Sequence, residues 1–239
     1  VVVGAGYVGL EMVENLCRLG MDVTLVEKMD QAMGPMDPEM LGPLYARLAQ
    51  EDVDLRLNCG VARIEQGREE MLHVVAQDSS VFPADVVILA AGVRPEVDLA
   101  RAAGLEIGEL GGIRVDDQMR TSDPNILAVG DAVEVRDWVT GRWTLVPLAG
   151  PASRQGRVAA DVICGRPARY RGTQGTAVVG LFGLTLATTG ASEKRLSAAG
   201  IPFKKTYTHS LDHAGYYPGA AQISIKLLYE GQSGRLLGA

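Results

Sequence analysis

Gly4, Gly6 and Gly9, with Ala5, Tyr7 and Val8 between them, make a G-x-G-x-x-G turn, and Glu27 follows 18 residues after the third glycine. Each position has a chemical reason if the turn holds a dinucleotide. The first glycine permits a tight turn out of a strand, and the second lets backbone approach a pyrophosphate. The third lets the next helix pack closely on the strand. That helix then presents its N-terminus, with free N–H groups and partial positive charge, to the phosphates. An acid at position 27 accepts hydrogen bonds from an adenine-ribose diol and repels a 2′-phosphate, which favours NADH; the adjacent Lys28 partly rescues NADPH.

Glycine-rich turns are common, so the elements around this one matter. Val1-Val2-Val3 is an apolar run. Leu10, Val13, Leu16 and Cys17 recur on one helical face, with Gly20 as the stop. Asp22 to Glu27 alternates like a strand that ends on its carboxylate. The required order of strand, turn, helix, strand and acid is complete.

Further along, Asp37-Pro38 opens a helix striped by Met40, Leu41, Leu44 and Leu48. Val53–Asn58, Val61–Gln66 and Leu72–Gln77, divided by Gly60 and Gly67, predict a small antiparallel meander. Asp85–Ala90 predicts a strand buried on both faces of a parallel sheet. It runs into Ala91-Gly92-Val93-Arg94-Pro95, a small-residue end where a ligand can cross the strand termini at Gly92. Residues 121–132 predict a proline turn feeding a strand that ends on Gly130-Asp131. Gly130 allows close approach, and Asp131 offers an acceptor to a sugar-alcohol hydroxyl; a plain surface acid at a strand end is the other reading. A helix from about 152 to 163, approached through Leu148 and Ala149, presents an N-terminus suited to an electron-rich ring carbonyl or a phosphate.

After Tyr170 the pattern turns to a strand pair around Phe182-Gly183, a helix capped by Ser192, and strands at 203–208 and 222–229. His213-Ala214-Gly215-Tyr216-Tyr217-Pro218-Gly219 is a loop rich in aromatic and titratable groups between those last strands. A turn at Gln232-Ser233-Gly234 precedes Arg235-Leu236-Leu237, and the chain stops just where a returning strand would start.

Composition narrows the function classes. The 239 residues are 47% apolar and 22% charged, the profile of one or two ordinary globular domains. The net charge of −6 argues against nucleic acid, and 5% aromatics offers no base-stacking platform. No apolar stretch approaches the ~18 residues of a membrane span. Three widely spaced cysteines, Cys17, Cys59 and Cys164, and the scattered His73, His209 and His213 indicate neither a disulfide scaffold nor a metal site. They fit a reducing cytoplasm and packing roles. With no initiator Met and no leader, the chain reads as an internal piece of a longer protein.

In order, GAGYVGLEMVENL, VTLVEK, AAGVRP, TSDPNILAVGDA and VPLAGPASRQGRVAADVICG resemble the FAD-dependent pyridine nucleotide–disulfide oxidoreductases. Within them they resemble the branch of coenzyme A-disulfide reductases, NADH oxidases and NADH peroxidases. The resemblance implies an α/β fold, with a Rossmann-like NAD domain (1–91) inserted in a FAD domain whose C-terminal half is 92–167. An α+β interface domain for a homodimer (168–239) would follow, incomplete here. The first FAD motif and the redox cysteine would lie outside the chain. Tyr7 matches the family's aromatic gate over the flavin, and Glu11 an acid near the nicotinamide, although a helix-dipole role suits Glu11 equally. Asp131 matches the ribityl-binding acid, and Leu148 and Ala149 the helix start facing the flavin ring.

The HAGYYPG loop resembles the sub-branch acting on coenzyme A disulfides or persulfides. There Tyr216 or Tyr217, with His213 beside them, would contact substrate across the dimer. Packing of an aromatic loop at an interface is the other reading. Ser153 stands where such reductases usually carry asparagine. The implied activity passes hydride from NAD(P)H via FAD to the cysteine and then to the disulfide. The alternatives are oxygen or peroxide as acceptor, or a piece that binds nucleotide and dimerises without turnover.

Overall fold

The computed structural model describes residues 1–67 and 71–239. The backbone divides into two compact units, Val1–Gly92 with Val178–Ala187, and Val93–Ala177 with Thr188–Ala239.

The first unit begins with β1 (Val2–Val3), α1 (Tyr7–Arg18) and β2 (Thr24–Val26). Leu10 and Val13 are buried, and Leu16 and Cys17 pack against the same core, as the helical spacing predicts. The helix closes on Gly20 at φ +78°. There the Gly20 N–H donates to the Cys17 carbonyl and Met21 N–H to that of Leu16, the paired bonds of a left-handed C-terminal cap. Residues 38–41 make a 3-10 turn into α2 (Gly42–Gln50), which buries Leu44 and Leu48.

Next come β3 (Asp54–Arg56), β4 (Val61–Gln66), β5 (Leu72–Ala76), β6 (Val81–Ala84) and β7 (Ile88–Leu89). The parallel sheet has the order β3-β2-β1-β7. This order differs from the sequence expectation in two places. The run at 53–58 belongs to the parallel sheet, beside β2, and the third meander strand is β6. Short runs of β-branched and apolar residues carry no information about which edge they join. The run at 85–90 is not buried on both faces. Only Ile88 and Leu89 pair with β1, at one side of the sheet, and Val86 and Leu89 are exposed.

The second unit opens with α3 (Asp98–Ala102), β8 (Ile113–Arg114), β9 (Val133–Arg136) and β10 (Trp143–Thr144). The strand expected to end on Gly130 is, among the described residues, a single bridge between Arg120 and Leu127; the ladder begins at Val133. α4 spans Ala149–Ile163, three residues earlier than its apolar pattern indicates. Pro151 is no obstacle there, because the first turn needs no N–H from it.

β11 (Ala177–Leu181) and β12 (Leu184–Thr188) form a hairpin whose Val179, Leu181 and Leu186 join the core of the first unit. Its turn takes positive φ at both Phe182 and Gly183, the twist that matches a two-residue hairpin. The Phe182 N–H donates to Glu14 Oε1 of α1 at 3.0 Å. The chain ends with α5 (Glu193–Ala199), β13 (Lys204–Leu211), β14 (Gln222–Tyr229) and β15 (Leu236–Gly238). β15 is the returning strand, already paired with β14. Among the described residues no helix is long and apolar enough to cross a membrane.

Candidate functional site

At the carboxyl end of β1 the three glycines have three separate reasons to be glycine. Gly4 holds φ +103°, and a Cβ there would stand 2.4 Å from the Ala90 carbonyl oxygen, where β7 ends. At Gly9 a Cβ would meet the Gly4 carbonyl oxygen at 1.8 Å, so α1 lies directly on the turn. Gly6 is different. It is the N-cap of α1 at φ −82°, an ordinary backbone angle, and a Cβ there would have nothing within 4 Å. Neither conformation nor packing within the described chain demands glycine at position 6. A ligand lying against the backbone would.

Glu27 closes this turn from the end of β2. Its Oε2 accepts the Ala5 N–H at 2.7 Å, and its Oε1 accepts the Met29 N–H at 2.9 Å. The carboxylate therefore points into the crevice at the strand ends. An ionised carboxylate has about four acceptor positions, so two backbone donors leave capacity for a diol. The site lies where the strand order reverses between β1 and β7, the place a doubly wound sheet offers to ligands. Lys28 is exposed beside it.

Tyr7 and Val8 begin α1; Val8 is exposed, whereas Tyr7 is half-buried, and that burial raises its hydroxyl pKa. Glu11 is exposed and lies beyond the first turn of α1, where a dipole effect fades. That weakens the purely structural reading of Glu11. Gly92 is exposed at φ +92°, a conformation that favours glycine.

The second unit contains a cleft of about 560 Å³ lined by Val93, Arg94, Pro95, Gly130, Asp131 and Pro147, among others. Gly130 adopts φ +91°, which turns the chain so that Asp131 is exposed at the rim. The Gly130 N–H donates to Gln155 Oε1 at 2.7 Å. At the start of α4, the Leu148 N–H is already taken by the Val146 carbonyl at 2.8 Å. Of the two N–H groups expected to face a ring, that of Leu148 is therefore already engaged, and Ala149 is the first helical residue. Gln155 is the residue that sequence reasoning missed. Its signal is a polar side chain four residues before Ala159, on the stripe that α4 buries.

None of His213, Tyr216 and Tyr217 lines that cleft. The Tyr216 and Tyr217 rings lie in tilted contact, centroids 4.9 Å apart and planes at 37°, and are 85% and 60% exposed. Asp212 closes the neck of their loop. Its Oδ1 accepts the Ala221 N–H at 3.0 Å and lies 2.8 Å from His213 Nδ1. The Ala221 bond first, and the nearby His213, hold its carboxyl below the usual range.

The cysteines divide by position. Cys17 is half-buried and Cys59 buried, and burial pushes both thiols up, away from the reactive thiolate. Cys164 is exposed, contrary to a packing role, because it caps the end of α4 outside the buried stripe.

Comparison with known proteins gives this geometry its family. The model of the pyridine nucleotide-disulphide oxidoreductases matches residues 1–156. The chain belongs to that family. Its members are oxidoreductases that use FAD and NAD(P)H. Among curated relatives, the NAD(P)H sulfur oxidoreductase (CoA-dependent) of Pyrococcus abyssi is 36% identical over 239 residues, covering 100% of this chain and 53% of the relative. The NADH oxidase of Methanocaldococcus jannaschii is 37% identical over 238 residues, covering 99% and 52%. The crystal structure of reduced Bacillus anthracis CoADR-RHD superimposes with a TM-score of 0.94 at 45% identity, over 99% of this chain and 42% of that one. The chain spans about half the length of the curated relatives it matches.

Proposed function

We propose that this chain supplies the nicotinamide-nucleotide site and the second half of the flavin site of a reductase that delivers electrons to a coenzyme A-type disulfide or persulfide. For a disulfide the balance is NADH + H⁺ + RSSR → NAD⁺ + 2 RSH. The observation that carries the nucleotide site is Gly6. It has room for a side chain and no strain to relieve, yet it stands at a helix N-terminus, 2.7 Å-bonded neighbours Ala5 and Glu27 beside it. That combination is what a pyrophosphate resting on backbone needs.

In this reading residues 1–91 are the NAD domain, 92–167 the C-terminal half of the FAD domain, and 168–239 the interface domain. Gly4, Gly6, Val8 and Gly9 hold the pyrophosphate, and Glu27 accepts the adenine-ribose diol. The negative charge of Glu27 selects NADH over NADPH, with Lys28 softening the choice. The family resemblance would give Tyr7 the part of the aromatic gate and Glu11 a place toward the nicotinamide end. FAD fits the second unit through Gly130, Asp131 and the α4 start. When bound it would accept hydride and pass an electron pair to a cysteine outside this chain. Asp131 would hold its ribityl hydroxyls, and the Ala149 N–H, at the positive end of α4, would stabilise negative charge on the reduced ring.

Tyr216 or Tyr217 would donate a hydrogen bond or proton to the leaving sulfur, with His213 ordering the loop. A second copy of the chain is the expected partner. On the β13–β14 hairpin, exposed Ile223 and Ile225 share one face and exposed Tyr207 and Leu211 the other, so either face offers apolar contacts for it. The three free thiols accord with a reducing cytoplasm.

The sulfur acceptor is favoured by the HAGYYPG loop and by the Pyrococcus abyssi relative, oxygen by the NADH oxidase relative. The test is steady-state turnover of the whole protein with coenzyme A disulfide, polysulfide, peroxide and oxygen. Release of coenzyme A thiol supports the first reading, and formation of water or peroxide the second. For the chain alone, material that is colourless yet binds NADH would mark a nucleotide-binding module without turnover.

A further inference from the structure

Gln155 lies near the middle of α4 and is only 2% exposed. A buried amide on a stripe of small and apolar residues costs stability unless it is paired. Its Oε1 accepts the Gly130 N–H at 2.7 Å, a bond spanning 25 positions of sequence. Gly130, at φ +91°, is the residue that turns Asp131 out to the cleft rim. The same helix that carries Gln155 begins at Ala149. One side-chain hydrogen bond therefore ties the carboxylate-bearing turn to the helix whose first N–H groups stand six residues earlier.

We infer that Gln155 is a positioning residue for the flavin, fixing Asp131 and the start of α4 in the mutual arrangement that lets both address one bound molecule. The inference rests on the flavin assignment of the preceding section. Gln155 acts through Gly130. Setting the turn before binding removes an ordering cost that the ligand would otherwise meet.

The test uses the whole flavoprotein. Gln155→Leu keeps the volume and removes the acceptor, Gln155→Ala removes both, and Gln155→Glu keeps the acceptor. FAD affinity is read by titrating the apoprotein, and the visible bands of the bound flavin report its surroundings. Circular dichroism identifies the variants that fold, and Gln155→Ala stands in if Leu prevents folding. An unsatisfied buried N–H and a loosened turn should weaken FAD about tenfold. The flavin bands should shift, and NADH affinity should stay within about twofold, since the glycine turn and Glu27 belong to the first unit and Gln155 to the second. Gln155→Glu should recover most of the FAD affinity. Unchanged FAD affinity and spectrum in a folded Leu or Ala variant would overturn the inference, as would a Glu variant no better than Leu. Wild-type protein that binds no FAD would instead remove the flavin reading, and this inference with it.

Discussion

Gly4 and Gly9 are pressed against the chain's own backbone, where an added Cβ would stand 2.4 and 1.8 Å from carbonyl oxygens. Tyr216 and Tyr217, by contrast, touch chiefly each other, in a tilted ring contact, and stand 85% and 60% exposed. The first region is a site the chain builds for itself. Strand, turn and helix lock together, and Glu27 fastens the turn through the Ala5 N–H. The second region is tied at its neck by Asp212 with Ala221 and His213, and within the loop by the Tyr217 N–H donating to the Ala214 carbonyl. A preformed site loses function and stability together when its packing residues change. A projecting loop loses function without stability, because its side chains bury little of their surface.

The largest expected effect is at Gly9. Gly9→Ala forces α1 away from the turn and should cost on the order of 3 kcal/mol, seen as a lowered melting temperature together with lost NADH binding. Glu27→Ala comes next. It strips two backbone N–H groups of a charged acceptor, worth about 2 kcal/mol, and should also erode discrimination between NADH and NADPH in parallel titrations. Gly6→Ala is the sharpest probe of the contrast. Its Cβ meets nothing in the chain, so stability should move by less than about 0.5 kcal/mol. NADH affinity should nevertheless fall about tenfold or more, a loss near 1.4 kcal/mol per decade. A Gly6→Ala protein that binds NADH normally would break the pyrophosphate assignment. The smallest stability effect belongs to Tyr216→Phe and Tyr217→Phe, each within about 0.5 kcal/mol. One of the two should lower kcat with coenzyme A disulfide while leaving NADH affinity unchanged. Equal turnover in both would reduce the loop to an interface element.

The glycine turn was legible in the residue string because its constraints are local. A tight turn, a helix contact and an acid at the end of the next strand all fall within the first 27 residues. The α1 stripe and its Gly20 stop were legible for the same reason, since helical spacing and a left-handed cap are properties of a few consecutive residues. The assignment of strands to sheets was not. Residues 53–58 and 81–84 carry similar short patterns, yet one joins β2 and the other β5. The Leu148 N–H was expected at the flavin and is spent on Val146, a choice of backbone angle that leaves no mark on residue type.

Residue order alone therefore dictates the turn chemistry, the helix faces and the candidate acids, because each depends on neighbours a few positions apart. Folding in three dimensions decides the rest. It brings Ala90 against Gly4 and joins Gln155 to Gly130. Those partners are distant in sequence and are selected by burial and hydrogen-bond satisfaction across the whole core, which no local pattern encodes.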